Sequence, residues 1–101
     1  MGIRKIRWSK KSTDCFLSIL KWYQEERGQS FATKFYVGIL NTIDLIAQMP
    51  TIGRLEETMS NSKNSYYSFL SHPKYRIVYR YTDTEIYIVA IRATLMNHVN
   101  S

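Results

Sequence analysis

Three arginines in the second half of the sequence could bind an anion. Arg76 and Arg80 lie in the run Tyr75–Tyr81, whose aromatic and β-branched residues favour a strand. An even number of positions separates the two arginines, so we expect their side chains on one face of that strand. Arg92 follows the apolar run of the next predicted strand and would face the same way as Ile88 and Ala90, so it could join the other two arginines.

Guanidinium groups on one sheet face can bind a nucleic-acid backbone or an acidic protein segment. The alternative is an ordinary solvated face, on which the Arg76 and Arg80 side chains pair with Asp83 and Glu85. Arg92 could equally be an isolated charge at the end of its strand. The sequence therefore predicts a partner- or nucleic-acid-binding site, with the solvated face as its alternative, at Arg76, Arg80 and Arg92.

The histidines and the cysteine give little sign of a second site. His72 precedes Pro73 in a predicted turn, and His98 lies near the end of the sequence, where an untethered tail residue is typical. His98 could still stand in as a proton-transfer group. Cys15 is the only cysteine, so neither an intramolecular disulfide nor a thiolate zinc site can form. We expect no metal and no cofactor.

The charge of the sequence favours an anionic partner. Its 101 residues include 14 Lys and Arg against 8 Asp and Glu, which gives a formal charge of +6. Such an excess attracts nucleic acid or acidic protein segments, although it can also serve solubility alone. No apolar run approaches the ~20 residues that span a bilayer, so we expect no membrane partner and a cytoplasmic protein. The length fits a single domain over residues 1–101.

The spacing of apolar residues predicts the elements that would position the arginines. Ile3–Trp8 mixes apolar and basic residues as an edge strand does, and Ser9 can cap a helix over Lys10–Arg27. A second helix is expected over Ser30–Met49, with Ser30 as its cap and Pro50 as its end. Each helix has one apolar stripe, and the short connection predicts an antiparallel helical hairpin.

The pattern changes after residue 50. Residues 51–65 are rich in Gly, Asn and Ser and are predicted to be irregular. Strands are expected near Tyr66–Leu70, Tyr75–Tyr81 and Glu85–Ala93. The predicted fold is α+β, with the order β-α-α-β-β-β and an antiparallel-rich sheet that carries the helical hairpin on one face. The predicted core residues are Phe16, Ile19, Leu20, Phe35, Ile39, Ile43, Ile77 and Ile88.

Four short segments, in their order and spacing, are similar to one known family. The first strand ends in Trp8-Ser9 just before a helix, and Pro50–Arg54 has the form Pro-x-x-Gly-Arg. Tyr75–Arg80 has the form Tyr-Arg-aliphatic-aliphatic-Tyr-Arg, and the apolar strand Ile86–Ile91 follows one hairpin loop later. Over nearly the whole chain this arrangement resembles the RelE/ParE superfamily of bacterial type II toxins, of the plasmid-stabilisation kind. It is closer to the ParE-like members.

RelE-like members are ribosome-dependent ribonucleases that cleave mRNA, and the resemblance matches Arg76 to their phosphate-contacting strand arginine. In such enzymes cations stabilise a phosphorane-like transition state, and a Tyr, His or Lys transfers protons. Their second arginine segment, Gly-x-Arg or His-x-Arg, falls here on Thr94-Leu95-Met96, which has neither the His nor the Arg. Their C-terminal tyrosine would align beyond Ser101. Arg76 alone is therefore a catalytic candidate if the chain is a ribonuclease.

ParE-like members lack the nuclease residues and inhibit DNA gyrase, which is the function that the resemblance favours. The implied partners are DNA gyrase and a cognate antitoxin whose acidic or amphipathic segment wraps the domain. Two alternatives stay open: a RelE-like endonuclease that acts on the ribosome and mRNA, and a degenerate member that only binds antitoxin. The oligomeric state also stays open, as a homo-oligomer or as a hetero-oligomer with the antitoxin.

Overall fold

The structure, a computed structural model, describes residues 4–72 and 75–94, with the His72 side chain excepted. Its elements confirm the predicted order β-α-α-β-β-β and add one two-residue strand after the second helix. A short 3-10 turn over Pro50–Ile52 precedes that strand. In chain order the helices and strands are β1 (Lys5–Trp8), α1 (Lys10–Glu26), α2 (Gln29–Gln48), β2 (Arg54–Leu55), β3 (Tyr67–His72), β4 (Tyr75–Tyr81) and β5 (Glu85–Ala93).

Within the described residues, five strands form one sheet in the order β1-β5-β4-β3-β2. β1 runs parallel to β5, and every other neighbouring pair is antiparallel, which confirms the predicted antiparallel-rich sheet. β1 lies at one edge, as its basic residues predicted, and β4 lies at the centre. The two strands that carry the predicted arginines are therefore neighbours in the interior of the sheet.

The helical hairpin covers one face of this sheet. Phe16 of α1 stacks on Phe35 of α2 with ring centroids 5.5 Å apart, and Phe35 meets Tyr75 of β4 edge-on at 5.2 Å. Of the eight predicted core residues, Ile19 and Leu20 are only partly buried, although both pack against the core. The other six are buried as predicted: Phe16, Phe35, Ile39, Ile43, Ile77 and Ile88.

Local hydrogen bonds and one glycine set the ends of the helices. Ser9 is the N-cap of α1, as predicted, and its Oγ accepts a 3.0 Å hydrogen bond from the Ser12 backbone N–H. Gly28 links the helices at a φ of 93°, a backbone conformation that favours glycine. The prediction that Ser30 caps α2 is wrong, because the helix begins at Gln29 and Gly28 is its N-cap. The chain turns so tightly at the glycine that no position is left for a separate serine cap.

A β-bulge in β5 decides which way its arginine points. The register of β5 against β4 shifts at Val89, which has no paired residue on β4. Ile88 before the bulge and Ile91 after it both belong to the core beneath the helices. Arg92 therefore lies on the face opposite Ile88, and the expectation that the two share a face is wrong. The extra residue inverts the alternation in a way that counting parity along the sequence cannot show.

The Pro-x-x-Gly-Arg segment, Pro50–Arg54, contacts the central strand of the sheet. The Pro50 carbonyl accepts a 2.6 Å hydrogen bond from the Tyr79 hydroxyl, and the Tyr79 residue is fully buried. A Cβ built on Gly53 would lie 2.1 Å from that hydroxyl oxygen, so the contact requires glycine. Burial raises the pKa of Tyr79 to about 12, which keeps the hydroxyl a donor at neutral pH. The segment thus has a structural role, which is to fix where Arg54 enters β2.

Candidate anion-binding site on the outer sheet face

Strand pairing brings polar side chains together on the sheet face that points away from the helices, called here the outer face. Arg54 of β2 pairs with Ser68 of β3, and Arg76 of β4 pairs with Arg92 of β5. Paired residues on adjacent strands project from the same face, and both residues that flank Arg76 belong to the core on the other side. Two of the three predicted arginines are therefore direct neighbours on the outer face.

A chain of hydrogen bonds links Arg76 to a carboxylate. The Arg76 Nε donates to the Ser68 Oγ at 2.9 Å, and the Ser68 Oγ donates to the Glu56 Oε2 at 2.5 Å. The Arg54 Nη2 lies 3.5 Å from the same carboxylate oxygen. Ser68 is almost completely buried, so its hydroxyl is held between the two charged groups. Arg54, Glu56, Ser68, Arg76 and Arg92 are called the outer-face cluster below.

The charges of the outer-face cluster perturb one another. The hydrogen bond from Ser68 lowers the pKa of Glu56, and the charges of Arg54 and Arg92 lower it further, against the opposing effect of burial. Burial lowers the pKa of Arg76, with a further contribution from the charge of Arg54. An arginine remains protonated after such a shift because its ordinary pKa lies far above neutrality. At neutral pH the cluster is therefore one carboxylate among guanidinium groups.

Arg92 lies at the solvent-exposed side of the outer-face cluster. It is exposed, and its Nη2 lies 3.1 Å from the Met59 sulfur in the segment between β2 and β3. A thioether is a weak, uncharged acceptor, so this contact does not neutralise the charge of the guanidinium. Its position beside Arg76 in the strand register makes Arg92 the cation that an approaching anion meets in solvent.

Arg80 shares the outer face but lies outside the cluster. Its guanidinium stacks over the ring of its cross-strand partner Tyr87, 4.1 Å from the ring centroid. The Tyr87 hydroxyl donates to Glu85, which also accepts a 2.6 Å hydrogen bond from the Arg7 Nε of β1. The three predicted arginines thus separate into a neighbouring pair and a third that belongs to a different set of contacts.

Two kinds of chemistry are available to the outer-face cluster. Its guanidinium groups can bind a carboxylate or a phosphate. Its carboxylate could accept a proton, but a general base works best with a pKa near the working pH, and the pKa of Glu56 is lowered from an already acidic value. Tyr87 is also poorly suited to transfer protons at neutral pH, since its hydrogen bond to Glu85 raises the pKa of its hydroxyl. Anion binding is therefore the chemistry that the geometry favours.

Sequence reasoning missed Glu56 and Ser68. Because the sequence predicts residues 51–65 to be irregular, no sheet face can be assigned to Arg54 or Glu56 from it. The signal that was available is their spacing: residues two apart in an extended segment project from the same side. Ser68 lies between aromatic residues of a predicted strand, where alternation places a small polar side chain on the face opposite the rings.

The predictions for His98 and for the Leu95–Met96 positions lie outside the described residues, and so does the His72 side chain. Among residues 4–72 and 75–94, no group of His, Cys, Asp and Glu side chains is arranged to hold a metal ion. In that same part of the chain, no helix is both long enough and apolar enough to cross a membrane.

Comparison with known families connects this fold to a class of proteins. The family model described as the ParE toxin of type II toxin-antitoxin system, parDE, matches residues 6–98. The chain belongs to this family. The resemblance to the RelE/ParE superfamily that the sequence motifs carry is thereby confirmed. No curated protein sequence gives a significant match to this ParE-family chain.

Solved structures share the fold of this ParE-family chain at low sequence identity. The chromosomal ParDE toxin–antitoxin system from P. aeruginosa aligns with a TM-score of 0.72 and 16% identity, covering 90% of this chain and 96% of that chain. A YoeB/ParE toxin from Agrobacterium tumefaciens gives 0.60 and 19%, covering 88% and 96%. The YoeB dimer from Staphylococcus aureus gives 0.59 and 21%, covering 90% and 97%. At these identities the likeness establishes the fold.

Proposed function

We propose that this ParE-family toxin inhibits DNA gyrase and is neutralised by a cognate antitoxin. The family match over residues 6–98 supports the toxin role, and the likeness to the P. aeruginosa ParDE system supports an antitoxin partner. The choice of gyrase over mRNA rests on the state of the outer-face cluster. Gyrase acts on DNA in the cytoplasm, and we propose the same compartment for the toxin.

The observation that carries the proposal is the carboxylate inside the cluster. A phosphate of mRNA that approaches Arg76 meets Glu56, which is bound to the same Ser68 hydroxyl that holds the Arg76 guanidinium. Like charges repel, so Glu56 opposes both the bound phosphate and the charge that develops in a phosphorane-like transition state. Inhibition of gyrase requires no phosphoryl chemistry at the outer face. It is therefore compatible with a cluster in which Glu56 occupies the anion position.

The outer face is also suited to an acidic antitoxin segment. We assign the contact to Arg76, Arg80 and Arg92, which all project from this face although Arg80 stands apart from the other two. The net charge of +6 adds long-range attraction for a negatively charged partner. In this assignment Arg76 is a binding residue rather than a catalytic one.

One observation favours the RelE-like ribonuclease as the second candidate. Glu56 and Arg76 share the Ser68 hydroxyl, so a carboxylate base and a phosphate-binding cation lie together. A ribonuclease that used this pair would need Glu56 to collect the proton of a 2′-hydroxyl, which the lowered pKa of its carboxyl disfavours.

Parallel assays on the purified protein separate these functions. We expect the toxin to inhibit supercoiling of relaxed plasmid by gyrase and to leave mRNA intact in a ribosome-containing translation extract. Induced expression should arrest growth with signs of DNA damage.

Cleavage of mRNA that is lost in both Arg76→Ala and Glu56→Gln, but kept in the neighbouring control Glu57→Gln, would establish the ribonuclease instead. Normal growth at verified expression, with neither activity detected, would identify a degenerate member that only binds antitoxin.

A further inference from the structure

The outer-face cluster has the composition of an anion-binding site and already contains an anion from its own chain. The Glu56 carboxylate accepts from Ser68 at 2.5 Å and lies 3.5 Å from the Arg54 guanidinium. Its side chain is 15% exposed, whereas that of Arg54 is 66% exposed. The carboxylate is thus drawn in toward the sheet, while one of its cations stays at the surface.

The arginines outnumber the carboxylate in this cluster. Arg76 contacts the cluster through Ser68, and Arg92 lies beside Arg76 with its Nη2 3.1 Å from the Met59 sulfur. A single Glu56 side chain therefore leaves positive charge uncompensated on the face. A second carboxylate could be held there, or a partner's carboxylate could take the place of Glu56.

We propose that the outer-face cluster is a carboxylate-binding site that Glu56 fills in the free protein and that an aspartate or glutamate of an acidic partner segment enters in its place. This inference rests on the antitoxin contact proposed above and deepens it by naming the site and the competing residue. Glu56 then lowers the affinity of the cluster for a partner carboxylate. The partner must compete with a side chain that belongs to the same chain, two residues from Arg54.

The geometry favours a carboxylate over a phosphate as the ligand. The buried Ser68 hydroxyl accepts from Arg76 and therefore directs its single proton to one acceptor oxygen, which Glu56 supplies. The carboxylate that occupies this position is planar and small, its side chain is largely buried, and the Arg54 Nη2 lies 3.5 Å from it. A phosphodiester is larger, and its two ester substituents would have to fit between the same residues.

The test measures binding of a labelled hexaglutamate peptide to the purified full-length protein by fluorescence anisotropy. Glu56→Gln keeps an oxygen that can accept from Ser68 but removes the competing charge. We expect this variant to bind the peptide about tenfold more tightly, a gain of about 1.4 kcal/mol. Glu57→Gln is the matched control, because it changes the net charge equally at an exposed neighbouring position. It should change the affinity by less than about twofold, as surface charges typically do.

A further variant and a direct measurement complete the test. Adding Arg76→Gln to Glu56→Gln restores the wild-type net charge and should abolish the gain in affinity. In the wild-type protein, saturating hexaglutamate should shift the Arg76 Nε–H resonance in NMR spectra, while that of Arg27, which lies against Phe31 on the helices, stays in place. This measurement depends on no variant that could fail to fold.

Equal gains in Glu56→Gln and Glu57→Gln would mean that net charge alone governs binding, and the proposed site would be abandoned. A larger gain for a labelled RNA hexanucleotide than for hexaglutamate would overturn the choice of ligand in favour of phosphate. An unmoved Arg76 resonance at saturation would overturn the site itself. None of these readouts involves gyrase or growth, so they fail or succeed independently of the toxin's target.

Discussion

The Tyr79 hydroxyl joins the centre of the sheet to the segment that follows α2. The hydroxyl donates to the Pro50 carbonyl at 2.6 Å, and Gly53 leaves room for it because glycine has no Cβ. A buried donor that keeps its acceptor contributes on the order of 1 kcal/mol, and losing the space for it costs more than losing the bond. Single atoms at this point therefore decide where β2 and the outer-face cluster are positioned.

Gly53→Ala should destabilise the protein by about 1–3 kcal/mol, since the new methyl group overlaps the Tyr79 hydroxyl. Gly38→Ala is the control: a Cβ there meets nothing within 4 Å, and alanine in a helix interior should stabilise by about 0.5–1 kcal/mol. Urea unfolding measures both. Combining Gly53→Ala with Tyr79→Phe should cost less than the sum of the single changes, because the second change removes the overlapping oxygen. Full additivity would contradict this account.

Sequence reasoning reached some residues of the candidate site and not others. The parity rule placed Arg76 on the outer face, because β4 is regular from end to end. It wrongly placed Arg92 on the same face as Ile88, since the bulge at Val89 lies between these two residues. Glu56 was missed, because its position depends on a two-residue strand that pairs with β3. A strand so short has too few residues to show a period.

At the scale of elements, the start of α1 is hydrogen-bonded to β5 at the bulge. The Ser12 hydroxyl, completely buried, donates to the Ile88 carbonyl at 2.9 Å, and the Ser9 backbone N–H donates to that carbonyl at 3.0 Å. The Ser9 hydroxyl also reaches the Val89 carbonyl at 3.2 Å. The residues at the start of α1 thus provide hydrogen-bond donors to two β5 carbonyls at and beside the bulge. This joins α1 to the sheet by polar contacts in addition to packing.

Ser12→Ala should destabilise the protein by about 1 kcal/mol, because it removes a buried hydrogen bond between α1 and β5. Ser18→Ala, on the exposed side of the same helix, should be neutral or stabilising by about 0.5 kcal/mol through helix propensity. Thermal or urea unfolding of both variants provides the comparison. If the two substitutions gave the same change, the Ser12 contact would have no energetic role.

The helices and long strands could be predicted because their periods extend over many residues. The stripe of α2 and the alternation of β4 each repeat often enough to define a face, and Ser9 was recognisable as a cap by its place before α1. The start of α2 was missed because two signals compete there, a serine cap and a glycine turn, and the glycine conformation took precedence. Parallel pairing of β1 with β5 left no local signal, since its register is set by contacts distant in sequence.

At the scale of the whole molecule, the charged side chains of the helices and those of the outer face have different surroundings. The helices pair some of their charges along their own surface, as Lys10 does with Asp14 at 3.1 Å. The outer face instead holds Arg92 in solvent beside Arg76. Electrostatic steering acts mainly on association rates, so this face should direct an acidic antitoxin toward itself at low ionic strength.

Arg92→Glu should slow association with the antitoxin more than Lys63→Glu, an equal charge change in an exposed turn between β2 and β3. Stopped-flow measurements at about 0.1 M and about 1 M salt, where the Debye length falls from about 10 Å to about 3 Å, test this difference. The gap between the variants should narrow at high salt as the charges are screened. Equal slowing at low salt would mean that the outer face has no special part in steering.

The parallel pairing of β1 with β5 also sets an order of events during synthesis. Arg7 of β1 reaches Glu85 of β5 across 78 residues of sequence. At roughly 5–20 residues per second, a ribosome needs roughly 4–16 s to make that interval. The backbone hydrogen bonds of a helix join residues four apart, so the helices can begin to form in the meantime. β1, by contrast, has no strand to pair with until β5 is made. A nascent chain interrupted before β5 would carry the helical hairpin and the strands β2, β3 and β4, but the edge of β4 that pairs with β5 would stay open. The toxin therefore acquires its complete outer face only after β5 has been synthesised.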